Sequence, residues 1–328
     1  MRYRLRIVPR LLPVIVCLAG AAGAGAAGAQ DLDSLLGDLR RTKESEGRVL
    51  ILEKIAKVPA ETATPDEVVA ALERGLEDDS MGVPATAATL LGKRKESEAA
   101  LLALVEAAGE MEKTYQKSDE QLQKVLAKVP EVGDDDAVQQ LERLGVLLEV
   151  KAEYLRELVA YTKAVSEALL GWRDDRCSEP LGELARLYLF SDDALPLVDG
   201  LFGLGTVPAI GEVVALFGEL EEKLDERSKA RRKLERERPG RKPKGWQGSK
   251  DAWKDRENSR IAGALHRFDE ATAKLEEWRA RFTSHVQEKA AAAGLPSQPE
   301  SVDASAWRNW WGSARAGLPK SVKGEQDE

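Results

Sequence analysis

Residue types able to do chemistry are few in this chain and stand far apart. Only two histidines occur, His266 and His285. On one straight helix, nineteen residues would separate them by about 28 Å, too far to share a metal ion. Acidic pairs are commoner: Asp78-Asp79, Asp134 to Asp136, Asp174-Asp175 and Asp192-Asp193, each just before an apolar helical run. Such clusters either bind calcium or cap helices. None has the alternating Asp/Asn ligands, central Gly and closing Glu of a calcium loop. They are expected to cap helix starts and compensate helix dipoles. The stretch Gly200-Leu201-Phe202-Gly203-Leu204-Gly205 has the look of a phosphate loop, but it lacks the closing Gly-Lys-Ser/Thr and has Pro208 where a dinucleotide fingerprint needs its third Gly. No H-E-x-x-H, paired C-x-x-C, G-x-S-x-G or P-loop pattern occurs in the sequence. Catalytic, metal-ligating and cofactor-binding residues are therefore none, and a noncatalytic protein is expected.

The elements around these residues are organised by a short phrase that comes round five times: Ile55-Ala56-Lys57-Val58, Leu91-Gly92-Lys93-Arg94, Leu126-Ala127-Lys128-Val129, Leu170-Gly171-Trp172-Arg173 and Phe202-Gly203-Leu204-Gly205. Successive copies are 36, 35, 44 and 32 residues apart, near the length of a helical-hairpin repeat. Each places a large apolar residue before Ala or Gly. The large side chain fills a core, and the small residue lets a neighbouring backbone come close. Ile51, Ala87, Leu122 and Val198 stand one helical turn upstream, with Ser166 the exception, so the phrase ends an amphipathic first helix. After a turn, a second apolar set follows at helical spacing: Val68, Val69 and Leu72, then Leu101, Leu104 and Val105, and so on to Ile210, Val213, Val214 and Phe217. Pro59, Pro65, Pro130, Pro180 and Pro208 fall between first and second helices. One hairpin cannot bury its own stripe; a stack of them can.

This pattern resembles a HEAT-type α-helical repeat protein. The best-fitting stretch runs from Asp78-Asp79-Ser80 to Ala107, through Ala85-Thr86-Ala87-Ala88-Thr89-Leu90-Leu91-Gly92-Lys93, and Ala194 to Leu220 comes second. Residues 109–165 fit poorly, and within them Val146 to Leu170 reads as one long helix or an extra one. The resemblance implies an all-α fold, an α-solenoid of about five HEAT-like hairpins over residues 30–222.

Residues 1–29 read as a signal peptide. Arg2, Arg4, Arg6 and Arg10 precede the apolar run Leu11 to Leu18, and Ala27-Gly28-Ala29 forms a small-x-small cleavage site. The run is too short and Gly-rich to anchor the chain across a membrane. Export to the periplasm or beyond, with cleavage after Ala29, is expected. Losing those four arginines takes the formal charge from −8 to −12, which disfavours general nucleic-acid binding. It also removes Cys17 and leaves Cys177 without a disulfide partner in the same chain.

Past the repeats, residues 223–250 form a charged helix end and a basic, turn-prone linker, Pro239-Gly240-Arg241-Lys242-Pro243-Lys244-Gly245. It reads as a solvated linker or as a patch for anionic envelope polymers. Residues 251–294 carry Ile261, Leu265, Phe268, Leu275, Trp278, Phe282 and Val286, one long amphipathic helix. Residues 295–328 close the chain with Trp307, Trp310 and Trp311 on one helical face, then an acidic tail. That W-x-x-W-W segment resembles the one that closes HEAT-like arrays in exported bacterial proteins. The three indoles are expected either to cap the open end of the stack or to contact a partner.

Three functions fit this sequence. The leading one is a protein–protein interaction scaffold of the cell envelope whose protein partner the sequence does not identify. The alternatives are an envelope structural protein held to anionic polymer by its basic linker, and an enzyme similar to HEAT-like lyases, which fold analogy alone supports.

Overall fold

Prolines and caps cut this chain into helices. A computed structural model describes residues 31–80, 82–126, 137–236, 248–300 and 302–321; the expected signal peptide (1–29), the third copy of the recurring phrase beyond Leu126, Asp134 to Asp136, the basic linker core (237–247) and the acidic tail (322–328) lie outside the described residues. Thr64 and Glu67 form a reciprocal capping box, and Pro65 takes the first helical position. Gly205, with φ 65°, ends another helix in the left-handed conformation that glycine adopts without strain.

The fold is all-α. The helices are α1 (Leu32–Arg41), α2 (Ser45–Ile55), α3 (Pro65–Leu76), α4 (Gly82–Leu91), α5 (Glu98–Leu126), α6 (Ala137–Leu170), α7 (Ser178–Leu187), α8 (Ala194–Leu204), α9 (Val207–Glu235), α10 (Lys250–Ala292) and α11 (Ala304–Ala314). First helices pack on first helices, α2 on α4 and α4 on α6, and second helices on second, α3 on α5, α5 on α7 and α7 on α9. Two layers result, with a core that runs from Leu52, Ile55 and Leu72 through Leu91, Leu104 and Val165 to Leu201 and Phe217. Burial of these aliphatic side chains is what favours stacking, at about 1.5 to 3 kcal/mol each.

One small residue of the recurring phrase, Gly92, sits where two helices meet. A Cβ placed on Gly92 would lie 2.6 Å from the Cβ of Ala168 on α6 and 2.9 Å from its Cα. Outside the phrase, a Cβ on Gly200 would overlap the Leu170 side chain. Lys95 lies across Gly171, donating to the Ala168 carbonyl at 3.2 Å and standing 4.9 Å over the Trp172 ring. Gly203, by contrast, faces open space.

The third of the five expected hairpins is no separate pair of helices. It consists of the continuations of α5 and α6, which run unbroken from Glu98 to Leu126 and from Ala137 to Leu170. Elsewhere a local stop ends the helix: Pro59 follows α2, the acidic turn Glu77 to Asp79 follows α3, and Gly205 follows α8. Residues 98–126 hold no proline, and strong helix formers such as Glu106, Ala107, Glu110, Met111 and Glu112 carry the helix past the body of the stack. The long step between the third and fourth phrases is one helix, the first of the two readings of Val146 to Leu170.

Packing continues past the repeats. α10 lies antiparallel along α9 and touches α8, and α11 packs on α9. Residues 295–300 and 302–303 lie along α10, held by Gln287 donating to the Pro299 carbonyl at 2.6 Å and Arg279 to the Val302 carbonyl at 2.8 Å. The Val207 amide donates to the Pro319 carbonyl at 2.9 Å, which ties the start of α9 to the chain's end.

Candidate functional site

The tryptophan segment turns inward. Trp307 is fully buried, its ring stacked on Phe217 of α9 at a centroid distance of 4.2 Å, and it meets Trp310 edge-on at 5.4 Å. Trp310 is 9% exposed and donates from Nε1 to the Pro296 carbonyl at 3.2 Å. Trp311 is half-buried over Gly211. Phe217 also meets Phe282 of α10, and Trp278 joins the cluster through Phe282. The structure thus brings the three sequence-assigned indoles together against α9, Trp307 on Phe217, Trp311 over Gly211 and Trp310 beside Trp307.

The other chemistry-bearing residues are held apart. His285 lies 2.8 Å from the Asp199 carboxylate of α8, which Lys289 also approaches at 3.1 Å. His266, one exposed turn before Glu270 on the same helix, is far down α10. Cys177 is fully buried, and burial, then the Asp174 charge, pushes its thiol up to about 12, so little thiolate forms at neutral pH. Asp174 caps the 3₁₀ turn Asp175–Cys177 by accepting from the Arg176 amide at 2.9 Å. The Arg176 guanidinium bonded to it holds that carboxyl below the usual carboxylate range. Asp78 accepts from the Ser80 amide at 2.9 Å and pairs with Arg48 at 2.6 Å. Asp193 departs from the capping expectation: it occupies the N-cap of α8 without a side-chain cap bond and instead accepts from the Ser191 hydroxyl at 2.9 Å, while Asp192 pairs with Arg281 at 3.2 Å.

What the sequence did not point to is an edge. α6 returns antiparallel to α5, with Thr162 opposite Met111 and Tyr115. α9 and α10 likewise run antiparallel: Phe217 faces Phe282, and Arg231 meets Asp269 at 2.6 Å. Since α5 and α9 point the same way on either side of α7, both pairs project from the same edge of the stack. Past Tyr115, α5 continues about 16 Å, and past Leu220, α9 continues about 22 Å, at 1.5 Å per residue. Between α7 and α8 the chain makes the short turn 188–193, where Phe190 holds φ 77° and sets its ring 5.5 Å from Trp278. At the body of the stack α5 and α9 are separated by α7, which packs on both.

Two recesses open at the arm roots. A groove of about 640 Å³ lies where the acidic turn after α3 meets α5 and α6, with Asp79 on one wall and Lys117, Gln121, Lys151 and Tyr154 on the other. Ser118 is buried in this groove's lining, its hydroxyl without a partner. A smaller, mainly apolar cleft of about 110 Å³ lies between α6 and α8. Val159 on its rim is 44% exposed, and Val150 farther out on the same arm is 59% exposed. No signal in the sequence separates Val159 from its buried neighbour Leu158, since adjacent helical residues can both face a core, as Val68 and Val69 do.

No helix among the described residues is long and apolar enough to cross a membrane. No family model, curated protein or solved structure matches the chain.

Proposed function

We propose that this protein is a noncatalytic binding scaffold of the cell envelope, an exported stack of HEAT-like hairpins that presents an edge to a protein partner. The observation that supports this reading is the pair of long helical arms rising from one edge on either side of α7. A stack of helices gains core with each added hairpin, but helices continued past that core bury little against their own chain and present two solvated faces. Such surfaces are what extended repeat proteins use to hold partners. Apolar Val150 and Val159 lie on one arm at this edge, where water would otherwise be excluded only by a partner.

Two basic residues ahead of the linker are already engaged within the chain. Arg227 lies 4.7 Å over the Phe268 ring and donates to Thr272 at 3.2 Å, and Arg231 is paired with Asp269 and Glu235. Both guanidinium groups thereby join α9 to α10 and are not free for a ligand.

Capture from the native envelope tests the scaffold reading: the purified mature protein should retain a partner, and no chemical activity should depend on His266, His285 or Cys177. A triple substitution at those positions that folds normally yet abolishes a measured reaction would establish an enzyme in its place.

A further inference from the structure

We propose that the cleft between α6 and α8 receives one large apolar side chain from a polypeptide partner, and that the partner carries a basic residue next to this anchor. This rests on the binding-scaffold reading and adds the chemistry of the contact. The two helices run parallel and meet tightly at one end, where Leu170 packs over Gly200 with no room for a Cβ. Towards the arm edge they part. The opening between them measures about 110 Å³, with Leu170, Pro196 and Leu197 among its walls. Apolar cavities of roughly 150 Å³ take up a benzene-sized molecule. This one, open at its mouth, suits a single leucine- or phenylalanine-sized group.

The rim decides what flanks the anchor. Lys163, Glu167 and Asp193 surround the mouth. Lys163 is 3.9 Å from Glu167, one turn on along the same helix, and largely balances it. Asp193 accepts from a neutral hydroxyl, Ser191, so the rim keeps a surplus negative charge. The chain as a whole carries −8. A cationic group beside the anchor gains from both, through local pairing and through the field that attracts it.

The test uses two minimal probes, N-acetyl-Phe-Arg-amide and N-acetyl-Phe-Glu-amide, titrated by NMR into the mature protein and into Val159→Trp and Asp193→Asn variants. Both substitutions are at solvent-facing positions, and a thermal melt confirms that each variant is folded. The Phe-Arg probe should bind, about two- to fivefold more tightly than Phe-Glu, the preference expected of one exposed ion pair. Val159→Trp, whose indole fills the mouth, should weaken both by about tenfold or more, and Asp193→Asn should remove the preference while keeping the binding. Absence of binding by both probes, binding that ignores Val159→Trp, or a preference that survives Asp193→Asn each overturns the assignment. Any of these with a partner still captured by the mature protein removes the cleft alone. Failure to capture a partner removes the scaffold reading.

Discussion

Gly92→Ala adds one methyl group at the tightest helix–helix approach of the recurring phrase. That methyl would stand 2.6 Å from the Ala168 Cβ and 2.9 Å from its Cα, whereas carbon atoms rest about 3.5–4.0 Å apart. α4 and α6 must therefore separate by about 1 Å, or one of them must rotate. Overpacking of this kind costs about 1–3 kcal/mol. Helix propensity works the other way, because Ala is up to about 1 kcal/mol better than Gly within a helix; at the end of α4 less of that is realised. A net loss of about 1–2 kcal/mol is expected. Ala168→Gly separates strain from propensity, since it deletes the methyl that Gly92→Ala meets. Urea denaturation followed by circular dichroism on the parent, both single variants and the double variant gives the coupling. The double variant should be more stable than the sum of the single effects implies by about 1 kcal/mol. Effects that add to within about 0.3 kcal/mol, or a Gly92→Ala protein as stable as the parent, would show that the small residue of the phrase does not set the helix spacing.

Trp307→Ala should cost about 3–5 kcal/mol, as truncating a fully buried indole does, whereas Trp311→Ala, at a half-buried site, should cost less; chain truncation after Ser305 should lower the melting temperature and promote self-association. Truncation that leaves stability and monomer state intact but abolishes partner binding would make these tryptophans the recognition site. Cys177 should not react with a disulfide reagent at pH 8 in the native protein and should react at once in denaturant, because its thiol is buried and pushed up to about 12; rapid native labelling would mean that the turn before α7 opens readily. N-terminal sequencing of protein recovered from the cell envelope should begin at Gln30, and an intact Met1 start there would overturn the export reading.

Most of the architecture is visible in the sequence because helix-forming signals are local. Apolar periodicity, Pro65 and the Thr64–Glu67 box mark α3 without reference to anything distant, and Leu91-Gly92 announces a close approach although not to which residue. The third hairpin was harder to read. Its phrase ends α5 at Leu126 as other copies end α2, α4 and α6; what the local form did not show is that no turn breaks α5 between Glu98 and that point, because whether a helix runs on past the core depends on what packs beside it. The indoles could be placed on one face from their spacing alone; that Trp307 stacks on Phe217, ninety residues earlier in the chain, could not. The edge between the arms was the least legible part. It arises from two helices, α5 and α9, that overrun their neighbour α7 in the same direction, a relation among three segments that no single window of sequence contains.

The most direct test of the scaffold reading is site-specific photo-crosslinking in the native compartment, with the crosslinker at position 159 on the arm edge and, as control, at position 50 on α2, where Leu50 is also exposed. A discrete protein adduct from position 159 and none from position 50 is the predicted result. Equal labelling from both positions, or an adduct from position 50 alone, would contradict the assignment of the arm edge as the binding face.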